Sequence, residues 1–240
     1  MAELICTQIL PKALEANQSE KMHKFGIFLI DDCIEYLGLE LLSSKWEFFT
    51  QALLTFATNK AATVRQAAAY GIGNLGIQSR EYFAAISDSC IGSLYDSLKC
   101  QQGTDKPKPF GHSRDNTIAA IGKILKFQGE RLSNPAQVYG VWLDNLPLKF
   151  DKQEAIGQNE FLADLVLANA PLVLETAPRV MKILGEILDT KTSTIEIRPK
   201  IVQAIKLLAT HQSVGPQMNG ILESLSVVQR KKVNDLFHPQ

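Results

Sequence analysis

The chain has 240 residues, of which 45% are hydrophobic and 21% charged, a balance typical of a folded protein and not of a disordered one. Its 25 basic and 25 acidic residues cancel, so the chain lacks the positive charge expected of a dedicated nucleic-acid binder. Four isolated cysteines in no paired motif argue against a zinc site or a disulfide framework, and no run is apolar enough for a membrane span.

The predicted elements of the first half are all helices. We expect them at 3–15, 19–37, 44–58, 63–78 and 80–99. Two of these begin at sequences with capping-box spacing, Ser44 with Glu47 and Thr63 with Gln66. The stretch that follows, 100–111, contains two prolines and two glycines, which prevent a helix from continuing. We therefore expect it to be irregular and the most mobile internal segment.

The second half is also predicted to be helical. Its helices are expected at 113–127, 134–146, 151–169, 179–189 and 198–211, with one or two more within 216–237. Asn134 before Pro135 and Asp151 before Glu154 are typical helix starts. In the first of these helices Leu125 continues an apolar stripe with a period near 3.6, so we expect Leu125 to be buried.

A short amphipathic unit recurs along the chain. Its copies open with a cation and are spaced by 38 to 49 residues, at Lys24, Arg65, Arg114, Lys152 and Arg198. Such repetition is typical of an α-solenoid, in which each helix pair buries its apolar face only against its neighbours. We therefore predict one all-α solenoid segment, 1–240, forming a right-handed superhelix whose second helices line the concave face. It would contain about five helix pairs, at 1–38, 43–78, 80–128, 134–169 and 171–211, and a helical cap at 216–237.

No residues in the sequence form a recognisable catalytic motif. There is no phosphate-binding loop, nucleophile elbow or paired metal-ligand spacing, so we expect no enzyme activity, no cofactor and no metal. The densest acidic cluster lies on one predicted helix beside an aromatic residue, and two acids follow in a later repeat. It is either a solvated acidic face or a patch that receives a basic peptide. The candidate cargo-binding residues are Phe28, Asp31, Asp32, Glu35, Glu154 and Asp164.

Several runs carry a resemblance to a known family. The run 64–73 (VRQAAAYGIG), preceded by 30–35 (IDDCIE), resembles the C-terminal HEAT repeats of the importin-beta superfamily of nuclear transport receptors. The runs 116–127, 142–148 and 151–155 follow in the order of the branch that carries ribosomal proteins and histones. The resemblance is strong over about 24–174.

The resemblance implies a receptor that works by reversible protein binding. Such a receptor binds basic nuclear localisation signals on its concave face, contacts phenylalanine-glycine nucleoporins, and releases cargo to the GTPase Ran. In this family the main Ran-binding repeats are N-terminal, and the segment resembled here is C-terminal. The implied locations are the cytoplasm, the nucleus and the nuclear pore. The alternative is a HEAT-repeat scaffold subunit of a phosphatase or trafficking complex.

Overall fold

The computed structural model describes residues 2–37, 43–79, 81–100, 108–188 and 190–237. Within these ranges the chain is all-α, as predicted, and contains no strand. The helices form two compact units, Met1–Val138 and Tyr139–Gln240. The repeat bounds given above remain predictions.

The first unit holds seven helices, in chain order, in its described part. They are α1 (Ala2–Leu4), α2 (Leu10–Ala13), α3 (Glu20–Tyr36), α4 (Trp46–Phe56), α5 (Ala62–Gln78), α6 (Glu81–Lys99) and α7 (Lys108–Gln128). A π-helical turn, Ile5–Ile9, joins α1 to α2. It lies before Pro11, whose nitrogen has no hydrogen to donate to an α-helical bond.

The helices of the first unit pack in pairs and in layers. Each of α3, α5 and α7 packs against the helix that precedes it in the chain, α2, α4 and α6 respectively. The helix α5 also packs against both α3 and α7, so α3, α5 and α7 form one layer, here called the second-helix layer. Gly73 permits a close approach in this layer, because a Cβ there would lie 3.1 Å from the Cα of Ala120 on α7.

The second unit contains shorter helices. The helix α8 (Pro135–Asp144) crosses the boundary between the units. It is followed by α9 (Lys152–Leu167), α10 (Pro171–Glu175), α11 (Ala177–Ile187), α12 (Arg198–Ala209), α13 (Met218–Ser224) and α14 (Val227–Asp235). The helix α9 packs on α12, and α11 packs on α12, α13 and α14. Buried Trp142 donates a hydrogen bond to Gln158 at 2.8 Å and contacts the ring of Phe161.

Two of the predicted helix starts are confirmed. Asn134 accepts a bond from the backbone N–H of Gln137 at 3.2 Å, and Asp151 accepts one from Glu154 at 3.2 Å. Both predicted capping boxes in the first unit are wrong. The residue before α4 is Lys45 and the residue before α5 is Ala61, and neither makes a side-chain cap bond.

The seventh helix differs from its prediction in two ways. It begins at Lys108 and not at 113, because Pro109 lies in the first turn, where its missing N–H breaks no helical bond. The rest of the predicted irregular segment, 101–107, lies outside the described residues. The expected burial of Leu125 is wrong, since this side chain is only half-buried while Ile124 is fully buried. The apolar stripe therefore passes through Ile124.

Candidate binding surface

The exposed side of α3 carries three of the candidate residues. Ser19 caps this helix by accepting a bond from the N–H of Met22 at 3.3 Å. Isoleucines at helical spacing, such as Ile27 and Ile34, are fully buried, which turns the opposite side of the helix to solvent. The exposed residues there include Phe28, which is 46% exposed, together with Asp32 and Glu35.

The fourth candidate on α3, Asp31, is buried instead of exposed. It is only 3% exposed, and it lies between α3 and α5 where Gly71 has no side chain to collide with its Oδ1. Neither of its carboxylate oxygens has a hydrogen-bond partner among the described residues. The expected exposure of Asp31 is therefore wrong, because its carboxylate is covered by the neighbouring helix.

Burial also changes the protonation of Asp31. Loss of solvation raises the pKa of this carboxyl well above its ordinary value, and the nearby charges of Asp32 and Glu35 raise it further. The positive charge of Lys123, on α7, opposes this shift. Because Asp31 is buried and Asp32 and Glu35 are exposed, the acidic character of the surface rests on Asp32 and Glu35.

Two neighbours of Glu35 on α5 were missed by the sequence analysis. The hydroxyl of Tyr70 donates to Glu35 Oε2 at 2.9 Å, and the amide of Asn74 donates to the same oxygen at 3.4 Å. From α7, the Nζ of Lys123 lies 4.5 Å from the centroid of the Tyr70 ring. These contacts link all three helices of the second-helix layer.

We refer to this set of residues as the layer surface. Its members come from α3, α5 and α7. All are exposed or half-buried except Asn74, which is buried but contacts exposed Glu35. They are Lys24, Phe28, Asp32, Glu35, Tyr70, Asn74 and Lys123. Both aromatic rings of this surface have an ammonium group over them, since Lys24 Nζ lies 5.1 Å from the ring centroid of Phe28 and Lys123 Nζ lies over Tyr70.

The remaining two candidates belong to the second unit. Glu154 lies in the first turn of α9 and is half-buried. Asp164, near the end of α9, is paired with Lys200 of α12 at 2.8 Å, and Lys200 also contacts Glu160 at 2.7 Å. These bonds to Asp164 and Glu160 raise the pKa of Lys200. Because Asp164 is already paired with Lys200, a basic ligand would have to share this carboxylate with Lys200.

Two other kinds of feature are absent from the described residues. No three or more His, Cys, Asp or Glu side chains in these ranges are grouped so that they could hold a metal ion. Among the described helices, none combines the length and the apolar character required to cross a membrane.

Comparison with known proteins finds a similarity to a nuclear transport protein. Over 156 residues the chain is 32% identical to "Importin subunit beta-3" of Saccharomyces cerevisiae. The match supports the importin-beta superfamily. It covers 62% of this chain and 13% of the yeast protein, so the chain corresponds to a small part of this relative. No protein-family profile matches the chain.

Proposed function

We propose that the chain is part of an importin-beta-type nuclear transport receptor that binds basic cargo proteins without covalent chemistry. The observation that carries the proposal is the 32% identity to yeast Importin subunit beta-3 over 156 residues. The stacked helix pairs of the first unit support it, since repeats of this kind present extended surfaces for protein binding. We also propose that the chain lies in the C-terminal part of the receptor, and that the receptor belongs to the branch carrying ribosomal proteins and histones.

The layer surface is the proposed contact for a basic signal. Asp32 and Glu35 would accept charge-assisted hydrogen bonds from lysine or arginine side chains of the cargo. The exposed ring of Phe28 would cover the aliphatic part of such a side chain. Contacts of this kind are exposed to solvent, so each carboxylate is expected to contribute about 0.5–1 kcal/mol.

A second contact is proposed on α9. Glu154 and Asp164 would receive further basic residues of the cargo, with Asp164 shared between the ligand and Lys200. Asp164 would contribute less binding free energy than Glu35, because the cargo cation would have to replace the ion pair that Asp164 already makes with Lys200 at 2.8 Å.

The proposed partners and locations follow from the same similarity. We expect the receptor to contact phenylalanine-glycine nucleoporins and to move between cytoplasm and nucleus through the nuclear pore. Binding of Ran is proposed for the complete receptor.

The proposal is tested by peptide titration. A fluorescent peptide of alternating lysine and glycine, with four lysines, is titrated into the wild type at 50 and 300 mM salt. We expect binding that weakens with salt, and a loss of about five- to thirtyfold in Asp32→Asn with Glu35→Gln, which corresponds to two contacts of about 0.5–1 kcal/mol each. The matched control is Glu47→Gln with Asp88→Asn, which removes two exposed acids from α4 and α6 and should bind as the wild type does.

A pull-down with immobilised phenylalanine-glycine repeats separates the proposal from the alternative. A nuclear transport receptor is retained on such repeats, and a phosphatase or trafficking scaffold is not. Absence of retention together with absence of peptide binding would overturn the proposed function.

A further inference from the structure

Both aromatic rings of the layer surface are covered by lysines of the protein itself. Lys24 and Phe28 are one turn apart on α3, and the ammonium lies 5.1 Å from the ring centroid. Lys123 reaches across from α7 to place its ammonium 4.5 Å from the centroid of Tyr70 on α5. Both distances are within the range in which an ammonium is attracted to the face of an aromatic ring.

The position of Lys123 depends on a glycine. A Cβ at Gly73 would lie 3.0 Å from Cδ of Lys123, so the absence of a side chain at this site leaves room for the lysine stem to run along α5. The stem therefore lies against the backbone of α5 and directs the ammonium to Tyr70. On its other side, Tyr70 donates its hydroxyl hydrogen to Glu35 at 2.9 Å.

The surface offers two groups that attract the ammonium group of a lysine, namely an aromatic face and a neighbouring carboxylate. Tyr70 with Glu35 supplies both, and Phe28 with Asp32, one turn further along α3, supplies a second set. Lys123 also acts electrostatically on α3, since its charge opposes the raised pKa of buried Asp31. The internal lysines thus occupy a surface with the chemistry that a lysine-rich peptide requires.

We propose that Lys123 and Lys24 are internal competitors, which in the free protein occupy the ring faces of Tyr70 and Phe28 where lysines of a basic peptide bind. The inference rests on the proposed function, because it concerns the same surface. Binding of the peptide moves the two internal ammonium groups away from the rings. The protein therefore binds lysine-rich segments more weakly than it would without Lys24 and Lys123.

The first test compares lysine variants with the lysine–glycine peptide of the titration above. Lys123→Met and Lys24→Met keep an unbranched apolar stem and remove the charge. Each is expected to tighten binding about two- to fivefold, the range that corresponds to loss of one exposed cation–π contact. Lys21→Met is the control, because Lys21 is exposed on α3 and is not among the cations found over a ring in the described residues.

Salt separates specific competition from general repulsion between positive charges. Removing any lysine near the surface strengthens binding of a cationic peptide at 50 mM salt, and this effect is screened at 300 mM. We expect the advantage of Lys123→Met over Lys21→Met to persist at 300 mM. Equal effects of the two variants at both salt concentrations would overturn the inference.

Nuclear magnetic resonance gives a second readout that does not depend on affinity. The ε-methylene protons of Lys123 should be shifted upfield by the Tyr70 ring in the free protein, and the shift should be absent in Tyr70→Leu. Saturating peptide should return these protons to the position of an exposed lysine. Retention of the upfield shift in the peptide-bound protein would overturn the inference even where the peptide binds.

The two proposals fail in different ways. If the wild type binds the peptide but the lysine variants bind no more tightly than Lys21→Met, the competition is refuted and the proposed function stands. If the wild type fails to bind and the Lys24→Met, Lys123→Met double variant binds, the competition is stronger than expected and is supported. If no protein in the series binds, the competition and the proposed cargo surface are both refuted.

Discussion

Replacing buried Asp31 by asparagine is expected to stabilise the first unit at neutral pH. The carboxylate has two oxygens without a hydrogen-bond partner in the described part of the chain, and an unsatisfied buried group costs about 1–3 kcal/mol, more when it is charged. Asparagine leaves a neutral amide in the same place, so the gain is the excess cost of the charge. Since the attraction of Lys123 offsets part of this cost, we expect a gain of about 1–2 kcal/mol in the free energy of unfolding.

The gain should depend on pH in a defined direction. Burial and the neighbouring acids raise the pKa of Asp31 in the folded protein above the unfolded value, which is about 3.9. Between these two values the folded chain holds the proton more tightly, so the stability contributed by Asp31 is complete below the unfolded pKa and falls as pH rises through the folded pKa. The difference between Asp31→Asn and wild type should therefore grow from pH 4.5 to pH 8.5.

The assay uses urea unfolding followed by the fluorescence of Trp46, which is buried in α4 beside Tyr82. Both proteins carry Trp142→Phe, so that the signal comes from the first unit alone. Asp32→Asn makes the same chemical change at an exposed position and should alter stability by less than about 0.5 kcal/mol. A variant less stable than wild type at pH 8.5, or a difference that stays constant with pH, would refute the argument.

Three further predictions concern packing and exposure. Ile124→Ala should cost about 2–5 kcal/mol, because Ile124 is fully buried, whereas exposed Lys126→Ala should cost less than about 0.5 kcal/mol; the reverse order in urea unfolding would contradict the packing of α7. Gly73→Ala should destabilise by about 1–3 kcal/mol, since its Cβ would lie 3.1 Å from a Cα on α7. Gly92→Ala, with open space around its Cβ, should stabilise by up to about 1 kcal/mol. If Gly73→Ala and Gly92→Ala changed the free energy of unfolding in the same direction, this reasoning would be ruled out. Cys100 is exposed while the other three cysteines are buried, so iodoacetamide should alkylate Cys100 first when followed by peptide mass mapping, and earlier labelling elsewhere would contradict the fold.

The positions of the helices could be predicted because their signals are local. Apolar residues at helical spacing, together with proline, glycine and capping residues, lie within a few positions of the helix that they define. The predictions failed where the local signal was ambiguous. Ser44 with Glu47 has capping-box spacing, but a 3-10 turn over Ser43–Lys45 places the start of α4 after Ser44. The proline in the first turn of α7 was interpreted as a helix breaker, although a first-turn proline is well tolerated.

The candidate surface was only partly predictable because its contacts join distant parts of the chain. The sequence indicated Asp31, Asp32 and Glu35 as one acidic patch, of which the structure exposes Asp32 and Glu35. The sequence could not show that α5 covers Asp31, because only the packing of a second helix decides which residues on the edge of a polar face are buried. Nor could it find Tyr70, which is 35 residues from Glu35 in the sequence. Tertiary contacts of this kind leave no periodic signal within a single helix.

The glycines of α5 have a consequence for how the first unit folds. Three glycines in a 17-residue helix, Gly71, Gly73 and Gly76, cost about 3 kcal/mol relative to alanine in an isolated helix. At these positions a Cβ would crowd neighbouring residues: Asp31 and Leu53 at Gly71, Lys123 and Ala120 at Gly73, and Ile124 at Gly76. This helix is therefore weak alone and is stabilised by its neighbours on both sides, so its formation is coupled to the docking of α3 and α7. The unit should gain or lose its three central helices together, as one cooperative block, and not one helix pair at a time.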